Sequence, residues 1–384
     1  MKYSSFLIFC SSALLFTACT NTTVAKEDLN HQTKMKEDLG KVLFFDKNLS
    51  NNRSQSCATC HNPEAGFVDD RNNGVDAMAS LGDNGTSIGD RQAPSAAYAM
   101  FSPEFHYDKK KKKYIGGQFW DGRESTLAGQ AGGPPTNPDE MGMASKKATV
   151  SRLKENEYYI STFKSIYGND IFNSDEKAYT AMTNSIEKFE MTKAFATFDS
   201  KYDRFLKGEY DLTVLEDLGR SIFFSNNNNS CSTCHVFKGE DKKGETFSNY
   251  EYHNIGVPAN TNLRASNGAK VKDKGLLNNP AVNDVNQRGK YKVPTLRNVA
   301  VTGPYMHNGV FTDLRTVVEF YDKYNNKERS INPETNKAWA QAEVKETIAL
   351  EELKSKKQSD RKIEALVAFM KILTDKKFEY LIKD

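Results

Sequence analysis

Apolar residues recur at helical spacing in several stretches of the chain, whereas the strict alternation typical of strands is rare. Helices are predicted over residues 34–45, within residues 146–200, and at residues 314–324 and 360–373. The apolar face of the first helix is formed by Met35, Leu39, Val42 and Leu43. The pattern predicts a mainly α fold.

Two long stretches, residues 62–117 and 238–300, are rich in Gly, Asn, Asp and Pro and show little periodicity. These residue types favour turns and irregular backbone over regular elements. The stretches are therefore predicted to be long loops between the helices.

One phrase occurs twice, as LGKVLFF at residues 39–45 and as LGRSIFF at residues 218–224. Each copy leads into an Asn- and Ser-rich stretch, and Asn226–Asn229 in the second is predicted to be a solvated turn. Internal similarity indicates related units, and 384 residues exceed what one core usually supports. We predict domains at residues 33–204 and 205–384.

A Cys-x-x-Cys-His motif follows each copy of the phrase. The first comprises Cys57, Cys60 and His61, and the second comprises Cys231, Cys234 and His235. Two thiols at this spacing attach a haem covalently, and the next histidine reaches the iron. The alternative is structural zinc, but zinc needs four ligands and neither motif has a second pair nearby. The sequence predicts two haem c groups with His61 and His235 as iron ligands.

The N-terminus has the pattern of an export signal. Lys2 precedes a short apolar run, which ends in Leu15-Phe16-Thr17-Ala18-Cys19, similar to a bacterial lipoprotein box. We predict a signal at residues 1–19, a lipid anchor at Cys19, a polar tether at residues 20–32 and a periplasmic location. The alternative is an ordinary secretory signal in which Cys19 is incidental.

The overall composition is that of a globular protein, with 38% hydrophobic and 27% charged residues. A formal net charge of +3 gives no reason to expect nucleic-acid binding. The run Lys109–Lys113 is the clearest local charge. It is interpreted either as a solvated surface loop or as a docking site for an acidic electron donor.

Further motifs resemble those of the bacterial dihaem cytochrome c peroxidases and their MauG relatives. They are FWDGR at residues 119–123, QAGGP at 130–134, NPDEMG at 137–142, VPTLRNV at 293–299 and TGPYMHNG at 302–309. The resemblance extends from about Leu39 to Leu373. It implies two cytochrome c-like domains, the first reacting with peroxide and the second transferring electrons.

In the first domain the resemblance implies Glu140 as the acid/base carboxylate, Gln130 as the amide beside it and Trp120 as the link between the haems. The family's peroxidases carry a histidine some sixteen residues after the first motif, where this chain has Ala77. The first haem is then either permanently open, as in MauG, or capped by another residue, with Met78 the nearest candidate.

In the second domain the resemblance implies a second axial ligand at Tyr321, where MauG has tyrosine and the peroxidases have methionine. The alternative is that Tyr321 packs against the haem edge and Met306 is the ligand. His307 is implied to lie near the domain interface, in contact with haem or as a core histidine. His253 is interpreted as a packing or propionate contact.

The resemblance also implies one calcium ion between the domains. Its ligands would be the side-chain oxygen of Gln92 and the backbone carbonyls of Thr302 and Pro304. Asparagine is usual at the first position, but glutamine also offers an oxygen to a hard cation.

These features predict a cytochrome c peroxidase that reduces hydrogen peroxide with electrons from a small cytochrome c or copper protein. One alternative is a MauG-like oxidase that acts on residues of a partner protein. A second alternative is a dihaem electron carrier, which would have no use for Glu140. The oligomeric state is left open, and a homodimer is one of the states considered.

Overall fold

The computed structural model describes residues 15–225, 231–235 and 244–383, with side chains from Asp28 onward. The helices are α1 Leu15–Phe45, α2 Cys57–Cys60, α3 Leu127–Ala131, α4 Lys146–Leu153, α5 Glu157–Tyr167, α6 Asp175–Glu190, α7 Lys201–Leu206, α8 Val214–Phe223, α9 Cys231–Cys234, α10 Thr261–Asn267, α11 Leu314–Asp322 and α12 Asp360–Lys371. The mainly α prediction is confirmed.

Strands in the described residues form short antiparallel pairs. These are β1 His106–Asp108 with β2 Lys113–Ile115, β3 Tyr252–His253 with β4 Tyr291–Lys292, and β5 Ile331–Asn332 with β6 Lys337–Ala338. The prediction of loops over residues 62–117 is therefore wrong at the β1–β2 hairpin, where Tyr107 and Tyr114 pair across the strands with ring centroids 5.0 Å apart.

The repeated phrase builds the same helix crossing twice. A Cβ atom on Gly40 of α1 would lie 1.9 Å from the carbonyl oxygen of Ser185 in α6, and one on Gly219 of α8 would lie 1.8 Å from that of Ala365 in α12. Only glycine permits so close an approach of two helix backbones. The crossings align α1 with α8 and α6 with α12, so Ser185 and Ala365 occupy equivalent positions.

Each crossing is flanked by residues of its own hydrophobic core. The first core draws on residues 39–196 with Phe378, and its Phe44 and Phe189 rings lie 5.4 Å apart. The second core draws on residues 202–373, and its Phe223 and Phe369 rings lie 5.0 Å apart. The predicted domain boundary after residue 204 is near this change of core and stays a prediction.

The N-terminal prediction needs one correction. α1 begins at Leu15 rather than at residue 34, so the stretch predicted as a tether is helical. Its described side chains from residue 28 to residue 32 are exposed, which is why no apolar pattern marked the helix there. Residues 1–14, the Cys19 side chain and Asn226–Asn229 lie outside the described part of the structure. Within the described part, no helix has the length and apolar character needed to cross a membrane.

A buried ion pair ties α7 to the VPTLRNV motif. Arg297 is 1% exposed, and its guanidinium donates to both carboxylate oxygens of Asp203 at 2.6 and 2.9 Å. The Arg297 Nε also donates to the carbonyl of Glu245 at 2.7 Å. Bidentate pairing of this kind fixes orientation as well as charge.

Asp203→Ala should lower the free energy of unfolding by about 3–5 kcal/mol, because it leaves a buried guanidinium without its counter-charge. Denaturant unfolding of the haem-loaded protein measures this change. The matched control is Asp217→Ala, which removes an exposed carboxylate paired with Arg220 at 2.7 Å and should cost at most about 1 kcal/mol. Equal stability of the two variants would contradict the prediction.

Candidate functional site

The first Cys-x-x-Cys-His motif forms the single turn α2, which places both thiols and the histidine on one cavity wall. His61 Nδ1 lies 3.2 Å from the carbonyl oxygen of Phe67, so this nitrogen carries the proton and donates. The other ring nitrogen is then left with its lone pair, as a metal ligand requires. Burial lowers the pKa of His61, which keeps the ring neutral.

The second motif repeats this arrangement in α9. His235 Nδ1 lies 3.1 Å from the carbonyl oxygen of Phe247, and burial lowers the pKa of His235 to about 4. Phe67 and Phe247 both have left-handed backbone, with φ of 60° and 55°. The same turn therefore directs a carbonyl at the proximal histidine in both halves.

The first cavity brings together several residues predicted from the sequence. His61, Trp120, Gln130 and Glu140 all line it, together with Cys57 and Cys60. Gln130 lies on α3, and Glu140 follows a short turn whose Asn137 carbonyl accepts from the Glu140 backbone at 3.1 Å. The amide and the carboxyl therefore share the cavity with the proximal histidine.

The pKa of the Glu140 carboxyl is set by burial and by two neighbouring groups. Burial raises the pKa of its carboxyl, while the positive charge of Arg123 and a hydrogen bond with Asn137 lower it, and burial prevails. Arg123 is held beside the cavity by Asp121, at 3.0 Å, and lies 3.6 Å above the ring of Phe119. From the sequence, Arg123 was identified only as part of the FWDGR motif, and no role was predicted for it.

Trp120 lies between two cavities and lines both. Its indole Nε1 donates to the backbone carbonyl of Gln92 at 2.9 Å. The backbone amide of Gln92 in turn donates to the carbonyl of His307 at 2.8 Å. Gln92 thus joins Trp120 and His307 through its main chain.

His307 also lines both cavities and is buried. Its ring stacks on Tyr291 with centroids 3.6 Å apart, and its Nε2 has no hydrogen-bond partner among the described residues. An orphaned ring nitrogen on a cavity wall suits contact with a bound group better than a purely structural role.

Trp120 and His307 occupy equivalent positions in two similar turns. Isolated bridges close the turns at Gln118 with Glu124 and at Tyr305 with Phe311. Each turn has a left-handed residue just before the aromatic one and a left-handed glycine two positions after it. Sequence analysis missed this equivalence, although the spacing of Trp120 to Gly122 and of His307 to Gly309 carries it.

Met78 does not line the first cavity. Its sulphur accepts from the Asn260 side-chain amide at 3.0 Å, and its side chain packs against the cluster containing Leu263. The neighbouring Ala77 has φ of 57°. The suggestion that Met78 caps the first iron is therefore wrong, because packing directs the side chain elsewhere.

The second cavity contains both candidates for the further axial ligand. Tyr321 and Met306 line it with Cys231, Cys234 and His235. Tyr321 lies on α11, and burial raises the pKa of its hydroxyl. Met370 also lines this cavity, and no role was predicted for it from the sequence.

His253 also lines the second cavity. Its Nδ1 pairs with Glu352, and its Nε2 is 3.8 Å from the sulphur of Cys234. The lysine run lies close by, because Lys111 and Lys113 pair with Glu251 at 3.2 and 2.8 Å. The β1–β2 hairpin is therefore adjacent to the second haem-attachment motif.

Both cavities fit a covalently attached haem. Each has two cysteines one helical turn apart and a half-buried, neutral histidine whose Nε2 remains available to iron. The first also has a half-buried carboxyl and an amide, which are groups that handle oxygen atoms and protons.

Comparison with known proteins finds relatives among the di-haem cytochrome c peroxidases. A family model described as di-haem cytochrome c peroxidase matches residues 34–211. The chain is 45% identical over 352 residues to methylamine utilization protein MauG of Paracoccus denitrificans, covering 90% of each chain. It is 31% identical over 287 residues to cytochrome c peroxidase Ccp of Escherichia coli, covering 74% of this chain and 52% of that protein.

Among solved structures, the diheme peroxidase BthA from Burkholderia thailandensis superposes with a TM-score of 0.80 at 27% identity, covering 91% of this chain and 88% of that one. A variant of BthA in which one tyrosine is methionine gives the same values. The chain belongs to the di-haem cytochrome c peroxidase family, which includes MauG. The resemblance identified from the sequence is confirmed, and the family consists of two-haem oxidoreductases.

Proposed function

We propose that this protein is an exported dihaem peroxidase that reduces hydrogen peroxide to water. The observation that carries the proposal is the first cavity, where His61, Gln130 and Glu140 share one enclosure. An electron carrier needs no carboxyl and amide at this site, so the cavity favours an enzyme. Residues 33–204 would form the peroxidatic domain and residues 205–384 the electron-transfer domain.

The haem, when bound, supplies an iron that receives the peroxide and passes electrons. The residues supply the proton chemistry. Ionised Glu140 would take a proton from the bound peroxide and return it to the departing oxygen atom, and the Gln130 amide would stabilise that oxygen by donating a hydrogen bond. Arg123 would favour the ionised form of Glu140 by its positive charge.

The two halves differ at one cavity position from which a side chain could bind the haem iron. α3 and α11 begin at Leu127 and Leu314, directly after their N-caps, and seven residues further lie Pro134 and Tyr321. Each lines the cavity of its own half. Proline has no donor group for iron, which supports an open first iron and a closed second one, with Tyr321 as its ligand.

Tyr321→Met should raise the reduction potential of the second haem, because anionic tyrosinate stabilises ferric iron and methionine raises the potential. Redox titration followed by visible spectroscopy measures this change. Tyr324→Phe is the matched control: Tyr324 lies just past the end of α11, and its hydroxyl donates to the carbonyl of Ile255 at 2.9 Å. An unchanged potential in Tyr321→Met would mean that another residue binds the second iron. Met306→Leu would then show, by the same titration, whether that residue is Met306.

Electrons would come from a small cytochrome c or copper protein and enter at the second haem. The position of the β1–β2 hairpin supports an acidic donor, since Lys109, Lys110 and Lys112 are exposed beside the second motif. Trp120 would carry electrons onward, because it lines both cavities. A periplasmic location with a lipid anchor at Cys19 remains part of the proposal.

Calcium is proposed at the boundary of the two halves, with Gln92, Thr302 and Pro304 as ligands. The support is that Gln92 contacts both Trp120 and His307 through its main chain, while its side-chain oxygen accepts no hydrogen bond from the residues that the structure describes. A cation bound there would fix the two halves, and so their cavities, relative to each other.

The direct test is steady-state oxidation of a reduced small cytochrome c by hydrogen peroxide. We expect peroxide-dependent turnover that consumes two reduced donors per peroxide. Negligible oxidation with each of several cytochrome and cupredoxin donors would refute the peroxidase proposal.

A second candidate is an oxidase that modifies residues of a partner protein, as the 45% identity to MauG and the presence of Tyr321 both favour. Peroxide-treated protein would then oxidise tryptophan or tyrosine residues of a partner, detectable by mass spectrometry. Such oxidation in the absence of donor turnover would favour this candidate.

A further inference from the structure

Glu190 is a buried carboxyl on the wall of the first cavity that the proposed chemistry does not use. It is the last residue of α6, is 4% exposed, and lines the cavity with Cys57 and Gln130. Its Oε2 has no hydrogen-bond partner among the described residues. Burying a polar group without a partner destabilises a fold, so such a group requires an explanation.

The internal repeat supplies a comparison within the same chain. A Cβ on Gly40 would approach Phe189, and one on Gly219 would approach Phe369, so Glu190 and Met370 are equivalent. Met370 lines the second cavity as Glu190 lines the first. The fold therefore accepts an apolar side chain at this position, and the carboxyl occurs only in the half that carries Glu140.

The surroundings of Glu190 favour its neutral form. Among the described residues, the charge that acts on Glu190 is that of Glu187 on the same helix, whose carboxylate accepts from the backbone amide of Ala128 at 3.2 Å. α3 has no ionisable side chain, and α2 has only the attachment cysteines. Burial, with a smaller contribution from Glu187, raises the pKa of Glu190 to about 8.

We propose that Glu190 is the proton reservoir of the first cavity, holding a proton at neutral pH and releasing it as peroxide is reduced. This inference rests on the proposed peroxidase function. Reduction of one hydrogen peroxide to two waters consumes two electrons and two protons. Glu140 moves a proton from one oxygen to the other and supplies none in net. Glu190 would break its O–H bond and give one of the two required protons to a peroxide-derived oxygen atom, which then leaves as water. Solvent would supply the second proton and would also reprotonate Glu190.

The test uses Glu190→Gln and Glu190→Met in the haem-loaded protein. In the wild type, the reduction potential of the first haem should fall as pH rises through the ionisation of Glu190, because the new negative charge stabilises ferric iron. Both variants should lose this fall. Their peroxide turnover at pH 7 should decrease by about 10²-fold, the lower end of what one proton-transferring side chain contributes.

Thermal unfolding separates this role from a structural one. Glu190→Met should be at least as stable as the wild type, because it removes an unpartnered polar group and inserts the residue used in the second half. Glu187→Gln is the control, which should keep the pH-dependent potential and move it to lower pH. Wild-type pH dependence in both Glu190 variants, or marked destabilisation of both, would overturn the proposal. If the wild type shows no peroxide turnover, only the peroxidase function is refuted. The pH dependence of the first haem's reduction potential would still show whether Glu190 gains and loses a proton beside that haem.

Discussion

Glu140→Gln should lower the rate of reaction with hydrogen peroxide by about 10²–10⁴-fold, the range typical of losing one general acid/base. Glutamine keeps the size and polarity of the side chain but cannot exchange a proton. Both haems should remain attached, because Glu140 contacts neither motif through a hydrogen bond recorded in the described residues. Stopped-flow spectroscopy of the peroxide reaction measures the rate.

The rate of the peroxide reaction should also depend on pH, in a direction set by Glu140. Burial raises the pKa of Glu140 above the ordinary 4.5, and the base must be ionised to accept a proton. The rate should therefore fall as pH decreases through this raised pKa, at a higher pH than an exposed carboxyl would show. Glu140→Gln should remove that limb of the profile.

Asp139→Asn is the matched control, since it removes an exposed carboxylate one residue away at the cavity mouth. The control should change the rate by about twofold or less, since an exposed charge is well screened by solvent. A wild-type rate in Glu140→Gln would contradict the assignment of Glu140 as the base.

Trp120→Phe should slow donor-driven peroxide turnover by at least about tenfold, equivalent to about 1.4 kcal/mol in the activation barrier. Phenylalanine is harder to oxidise than tryptophan and loses the hydrogen bond to the Gln92 carbonyl. The reaction of the first cavity with a single equivalent of peroxide should be nearly unchanged, because His61, Gln130 and Glu140 are intact. Steady-state and single-turnover kinetics together separate the two effects.

Trp339→Phe provides the control for loss of an indole. Trp339 donates to the carbonyl of Arg329 at 2.7 Å and packs on Phe311 and Phe320, and it lines neither cavity. Its replacement should leave turnover unchanged. Equal slowing in the two variants would mean that Trp120 acts through packing and not through electron transfer.

Features that depend on local spacing could be predicted from the sequence. The histidine lies four positions after the first cysteine, so the geometry of each motif is set within about one helical turn. α12 could likewise be predicted from its apolar period. The part of α1 from residue 28 to residue 32 could not be predicted, because its side chains are exposed and form no apolar face. The β1–β2 hairpin was missed because lysines at its turn hide the short alternation.

Features that depend on tertiary contacts were beyond the sequence. Nothing local distinguishes Glu190 from the many exposed carboxylates on helices, and only the crossing at Gly40 shows that it faces a cavity. That Trp120 lines both cavities likewise depends on how the halves pack. Met78 was a plausible ligand by distance along the chain, but its packing against Asn260 excludes it.

The central claim is that the iron of the first haem would have a position free for peroxide beside Glu140, because this chain has Ala77 where the family's peroxidases have histidine. The most direct measurement mixes hydrogen peroxide with the fully oxidised protein in the absence of any reductant and follows the haem spectrum. We predict an immediate change at the first haem, which Glu140→Gln slows. A spectrum that changes only after prior one-electron reduction would contradict the claim.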